Sequence, residues 1–142
     1  MSLANVLESI TTKVESLGFE LWDDAFPVDN IPSTISDRAF QIEIGSITSG
    51  AANQRTHIFR MPLNVRVIRR GFRYPNEARS SALVDADTIL AGLLAASFRL
   101  GPIVDDVKDL IPTSVDLEPI SGSNDNDIIL SLSFEALIVS LF

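Results

Sequence analysis

From residue 57 to residue 70 the chain alternates without a break. Phe59, Met61, Leu63, Val65 and Val67 fall on one face, and Ile58, Arg60, Pro62, Asn64, Arg66, Ile68 and Arg70 on the other. Alternation with period 2 over this length is a strand half-buried on its apolar side. Such a strand fixes the fold as sheet-based, because it needs partners along its length and a layer to cover its apolar face. Pro62 has no N–H for a neighbour, so the strand is expected at a sheet edge or bulged near that point.

The flanking segments supply those partners. Phe40, Ile42 and Ile44 alternate with Gln41 and Glu43, a second strand. Between the two strands, residues 46–56 are rich in Ser, Thr, Gly, Ala and Asn. They are expected to form an extended hairpin loop, longer than the usual two to five residues and suited to a contact arm. Near the end of the chain Val115 and Leu117 suggest a short strand. After a turn-rich stretch at Gly122 to Asp127, Ile128, Leu130, Leu132 and Phe134 alternate with Ile129, Ser131, Ser133 and Glu135. Leu137 to Phe142 is apolar on both faces and is expected to be covered twice. Phe19, Leu21 and Trp22 allow a further short strand, and 23–38, with Pro27 and Pro32, reads as an irregular connecting segment.

Two helices complete the pattern. Leu3, Val6, Leu7, Ile10, Val14 and Leu17 form one apolar stripe at helical spacing, with Ser2 as N-cap and Gly18 as the C-terminal stop. Leu83, Ala86, Ile89, Leu90, Leu93, Leu94 and Phe98 give a second helix over about 76–99. Tyr74-Pro75-Asn76 opens it and Gly101-Pro102 closes it. The small residues from Ala91 to Ala96 permit close approach to a sheet. At 142 residues one domain, 1–142, is the default. The expected class is α+β: a mixed or antiparallel sheet of about four to five strands with two helices packed on it.

Net charge is −8, which excludes a uniformly basic nucleic-acid-binding domain. The charge is unevenly laid out, however. Residues 1–54 hold 8 acids and 2 bases, residues 55–79 hold 1 acid and 7 arginines, and residues 80–142 hold 10 acids and 2 bases. The arginines are Arg55, Arg60, Arg66, Arg69, Arg70, Arg73 and Arg79, and Arg60, Arg66 and Arg70 share the polar face of the long strand. Guanidinium groups suit bidentate contact with carboxylate or phosphate. Three readings compete: pairing within the chain to Glu43, Asp116, Glu118 or Glu135; contact with the acidic segments of identical neighbours; and contact with nucleic acid phosphates. The candidate subunit or partner interface is Arg55, Arg60, Arg66, Arg69, Arg70 and Arg73.

Enzymatic chemistry has little to stand on. Without cysteine there is no thiolate nucleophile or cysteine zinc site. His57 is the sole histidine and has no triad motif around it. Phosphate-loop, dinucleotide and zinc-protease motifs are missing. Asp105, Asp106 and Asp109 read as a solvated acidic cluster, and Ser123 to Asp127 lacks the glycine and terminal glutamate of a calcium loop. No catalytic residue, metal or cofactor is expected. Residues 1–17 carry charges where a signal peptide would be apolar, and no stretch is long enough to span a bilayer, so a soluble protein without membrane contact is expected.

Leu3 to Leu17, Phe40 to Val67 with its loop, Leu83 to Phe98 and Ile128 to Phe142 together resemble the small neck and tail-completion proteins of long-tailed bacteriophages. The resemblance implies a tail terminator: a structural virion subunit that forms a six-membered ring on the tail tube, ends its growth and joins it to the head connector. It implies as partners identical copies, the tail tube protein and a head–tail connector or neck protein, with transient contact to DNA in the lumen. It implies assembly in the host cytoplasm and a final place in the virion tail or neck. In that family the sheet helps line the ring and loops contact the tube. The alternative is a non-enzymatic adaptor that holds an acidic protein through the arginine strand.

Overall fold

The computed structural model describes residues 3–22, 35–51, 56–95, 108–120 and 126–141. Helix α1, Leu3–Ser16, buries Val6, Ile10 and Val14 along its stripe, with Leu3 and Leu17 packed beside them. Gly18 at φ +101° turns the chain out of the helix, its N–H donating to Glu15 O at 3.1 Å. Buried Phe19 then leads into β1, Glu20–Leu21, which runs parallel to β2, Ala39–Ile44. Next come β3, Thr48–Ala51, and the long strand β4, Thr56–Arg69. Helix α2 spans Pro75–Leu93, and β5, Lys108–Pro119, and β6, Ile128–Leu141, follow. Ser2, the second-helix residues 96–99 with Gly101-Pro102, and most of the 23–38 segment lie outside the described residues.

Among the described residues the sheet has six strands, ordered β1-β2-β4-β6-β5, with β3 beside β4 where β2 ends. All pairs are antiparallel except β1 with β2, so the class is α+β with a mixed sheet. The count exceeds the expected four to five because part of the presumed 46–56 loop is strand β3. The short polar residues Thr48, Ser49 and Gly50 pair with Arg60, Phe59 and Ile58, where ladder bonds along β4 outweigh the weak strand propensity of Ser and Gly. The strand around Val115 and Leu117 is also longer than expected, because β6 templates it from Lys108 to Pro119.

Pro62 explains the geometry beside it. β4 lies between β2/β3 and β6, so it is not an edge strand. Its register with β6 is unbroken from Thr56↔Leu141 to Arg69↔Ile128. On the other side the register changes between Ile44↔Leu63 and Thr48↔Arg60, so one extra residue is accommodated on the β2–β3 side. Gly45 N–H donates to Pro62 O at 2.8 Å. In an antiparallel ladder a residue's N–H and C=O point the same way, so the donor that Pro62 lacks would have faced this bulge. A second irregularity, between Pro112 and Ser114, interrupts the β5 edge.

Both helices cover one face of the sheet. Met61, Leu63, Val65 and Val67 of β4 meet Leu130, Leu132, Phe134 and Ala136 of β6 there, under Ala78, Ala82, Ala86, Ile89 and Leu93 of α2 and the stripe of α1. Truncating any large member, such as Leu132 to Ala, would cost about 2–5 kcal/mol. Leu83 and Leu94, expected in the apolar face of α2, are exposed instead. The buried stripe turns through Ala78, Ala82, Asp85, Ala86, Ile89 and Leu93. Gly92 approaches α1 rather than the sheet, since a Cβ there would stand 2.7 Å from Leu17 Cδ1. On the opposite face a smaller cluster, Ile35, Ala39, Ile68, Ile120 and Ile129 with Trp22 against it, closes one end only. No helix among the described residues covers the remainder of that face.

Candidate subunit interface

The arginines of β4 separate by the face on which each emerges. Arg69 follows the parity of Val65 and Val67 and therefore points toward α2. It is buried, its Nε donating to Asp37 Oδ1 at 3.0 Å and its Nη1 to Asp85 Oδ2 and Ser81 O. Its guanidinium also lies 5.1 Å from the centroid of the Phe72 ring. Burial alone would lower its pKa, but the hydrogen bond and charge of Asp85, then those of Asp37, hold it above the ordinary arginine value. Asp85 is equally buried, with its side chain 7% exposed. Neither charge would be tolerated there alone.

Arg70 binds the other side of the same junction. Its Nη1 donates to Ile35 O at 2.8 Å and its Nε to Asp127 Oδ2 at 3.3 Å. Asp127 is almost completely enclosed, and its Oδ1 accepts from Gly71 N–H at 3.2 Å. Asp37 Oδ1 accepts from Arg70 N–H at 2.8 Å as well as from Arg69. Asn126 Nδ2 caps Arg73 O and Phe72 O. Together these contacts bind the start of β2, the end of β4, α2 and the start of β6 into one joint.

Arg60 and Arg66 emerge on the helix-free face, as their alternation with the apolar residues predicts. Arg66 Nη1 pairs with Glu43 at 3.1 Å and Arg60 Nη1 with Glu135 at 3.2 Å. Two of the four acids expected as in-chain partners are therefore used. Asp116 and Glu118 make no ion pair among the described residues, although the register sets Asp116 beside Ser131, next to Arg66. Arg55 lies outside the described residues, and of His57 and Asp109 only the strand positions are described.

Of the described arginines from Arg60 to Arg79, two have no carboxylate. Arg73 lies over the Tyr74 ring at 5.6 Å, and Arg79 Nη1 reaches Asn76 Oδ1 at 3.4 Å. Both are exposed, as is Tyr74. Tyr74 is the N-cap of α2 and Pro75 its first residue, with no side-chain cap bond.

The helix-free face contains a groove of about 370 Å³ that runs across the strands between the two irregularities, lined by Glu43, Gly45, Pro62, Asn64, Thr113 and Glu135 among others. Asn64 Oδ1 is buried in it without a hydrogen-bond partner. Such an acceptor costs about 1–3 kcal/mol when left unpaired. Glu43 and Glu135 each offer Oε1 to an arginine, and no described residue bonds their Oε2. Around the groove and toward β5, the described residues of this face include Glu43, Asp116, Glu118 and Glu135 against Arg60 and Arg66, an excess of two acids.

Asp37, Asp85 and Asp127 were not among the acids expected to pair. Asp85 had a usable signal, a carboxylate inside a helical stripe of alanines and isoleucine. Asp37 and Asp127 had none, since both are brought in by strand order. Asp105 and Asp106 lie outside the described residues. Among those described, no three acidic or histidine side chains converge to hold a metal ion, and no helix is long and apolar enough to cross a membrane. No protein-family model and no curated protein matches this chain.

Proposed function

We propose that the chain is a structural virion subunit resembling a phage tail terminator, forming a ring that caps the tail tube, ends its growth and joins it to the head connector. The observation that carries this reading is the separation of charge left over after the chain has paired its own. Arg60, Arg66, Arg69 and Arg70 are all engaged at home. Arg73 and Arg79, which have no carboxylate partner, stand at the β4–α2 turn, and the helix-free sheet face around the groove holds more acids than bases. Two unlike, complementary patches on one subunit favour head-to-tail contact, and such contacts give a ring where the rotation between subunits closes. An adaptor holding an acidic partner through the strand arginines would first have to break those internal pairs.

The partners in this reading are further copies of the chain, the tail tube protein and a connector or neck protein, with DNA passing transiently through the lumen. The test is electron microscopy of the purified protein added to polymerising tail tubes. Rings seated on one tube end and tubes that stop lengthening support the reading. Tubes that grow unchanged with bare ends sink it.

A further inference from the structure

The groove on the helix-free face has a specific chemistry. Its free polar atoms include three acceptors: Asn64 Oδ1 in the floor and the Oε2 atoms of Glu43 and Glu135 at its sides. Pro62 supplies an apolar surface beside them. An occupant that brings several donors on a flat or aliphatic body answers them. Guanidinium has five N–H donors and no acceptor.

The chain itself carries such a group where it cannot serve its own groove. Asn64 and Arg69 are about 17 Å apart along β4 at ordinary strand rise, and Arg73 lies beyond the strand end. Arg73 stacks on exposed Tyr74, and Arg79 stands one turn further on. Arginine with an exposed tyrosine is the composition that anchors protein interfaces. Arg38, another described arginine without a carboxylate, lies instead over its own Phe19.

We propose that the Asn64 groove receives the Arg73–Tyr74 knob of a second copy of the chain, with Arg79 alongside. The guanidinium donates to Asn64 Oδ1 and to the free carboxylate oxygens of Glu43 and Glu135, and the tyrosine ring lies on Pro62. Because knob and groove are different surfaces, each copy uses one of each and the contact repeats head to tail. This rests on the ring reading and locates its subunit contact.

The test is sedimentation velocity on the full chain, with thermal melting as the control for folding. The wild type is expected to form a closed oligomer. The knob variant Arg73→Glu/Arg79→Glu and the groove variant Glu43→Gln/Glu135→Gln are each expected to be folded monomers, with the contact weakened at least about tenfold. Mixed one to one they should give dimers and nothing larger, since only one intact knob and one intact groove meet. Asn64→Leu should weaken assembly while melting no lower than the wild type. Should both double variants still form the wild-type ring, or their mixture stay monomeric beside a wild-type ring, the knob-and-groove contact is overturned and the ring reading stands. A wild type that stays monomeric at every concentration removes both.

Discussion

The two ends of β4 use the same kinds of side chain for opposite purposes. At the Arg69–Arg70 end, the guanidinium groups are surrounded by Asp37, Asp85 and Asp127, and two of those carboxylates are almost fully buried. At the Arg60–Asn64–Arg66 end, the ion pairs lie on a face without helices, each carboxylate keeps an oxygen unused and Asn64 Oδ1 has no partner. Buried charge must be answered within the chain or the fold fails; half-exposed charge need not be. The first end holds the domain together, and the second is where we propose that a neighbouring copy docks.

The largest effect that would break this contrast is at Asp85. Asp85→Ala leaves the Arg69 charge buried beside α2, and urea denaturation should register a loss of about 3–5 kcal/mol, a large share of what a domain of this size has. A loss below 1 kcal/mol would mean that the joint is not structural. Asn64→Leu has the opposite sign. It removes an unpaired buried acceptor, so the monomer should gain about 1 kcal/mol, read as a raised denaturation midpoint; a clear loss would show that Asn64 already serves the monomer. Arg60→Ala should be the smallest. Its side chain is 64% exposed and its pair with Glu135 is open to water, so calorimetry should show a change under about 1 kcal/mol.

Much of this contrast could be read from the order of residues, and its limits are physical. Alternation through Val67 placed the polar and apolar faces of β4, and with them the positions of Arg60 and Arg66. Pro62 announced the bulge, since a missing donor is a local property of one residue. Yet Arg69, a charge at an apolar-face position near the strand's end, owes its burial and its partners to α2 crossing above it, which periodicity does not report. Asp37 and Asp127 are 90 residues apart in the chain and meet neighbouring arginines through strand order alone. Strand β3 was hidden for a related reason: its Thr, Ser and Gly pair because β4 offers a template, not because they favour extension. The groove's orphan acceptor follows from packing, and Asn64 in the sequence is only one polar residue in an alternating run.

The central claim is that charge left over in one subunit is answered by the next, through unlike surfaces that close into a ring. Native mass spectrometry of the wild-type chain at rising concentration tests it most directly. The account predicts a single closed species, six copies of the 15.5 kDa chain, that falls apart to monomers as salt is raised. A symmetric dimer that survives high salt would contradict it, because a two-fold contact pairs like surfaces and leaves the arginine knob and the acidic groove unused.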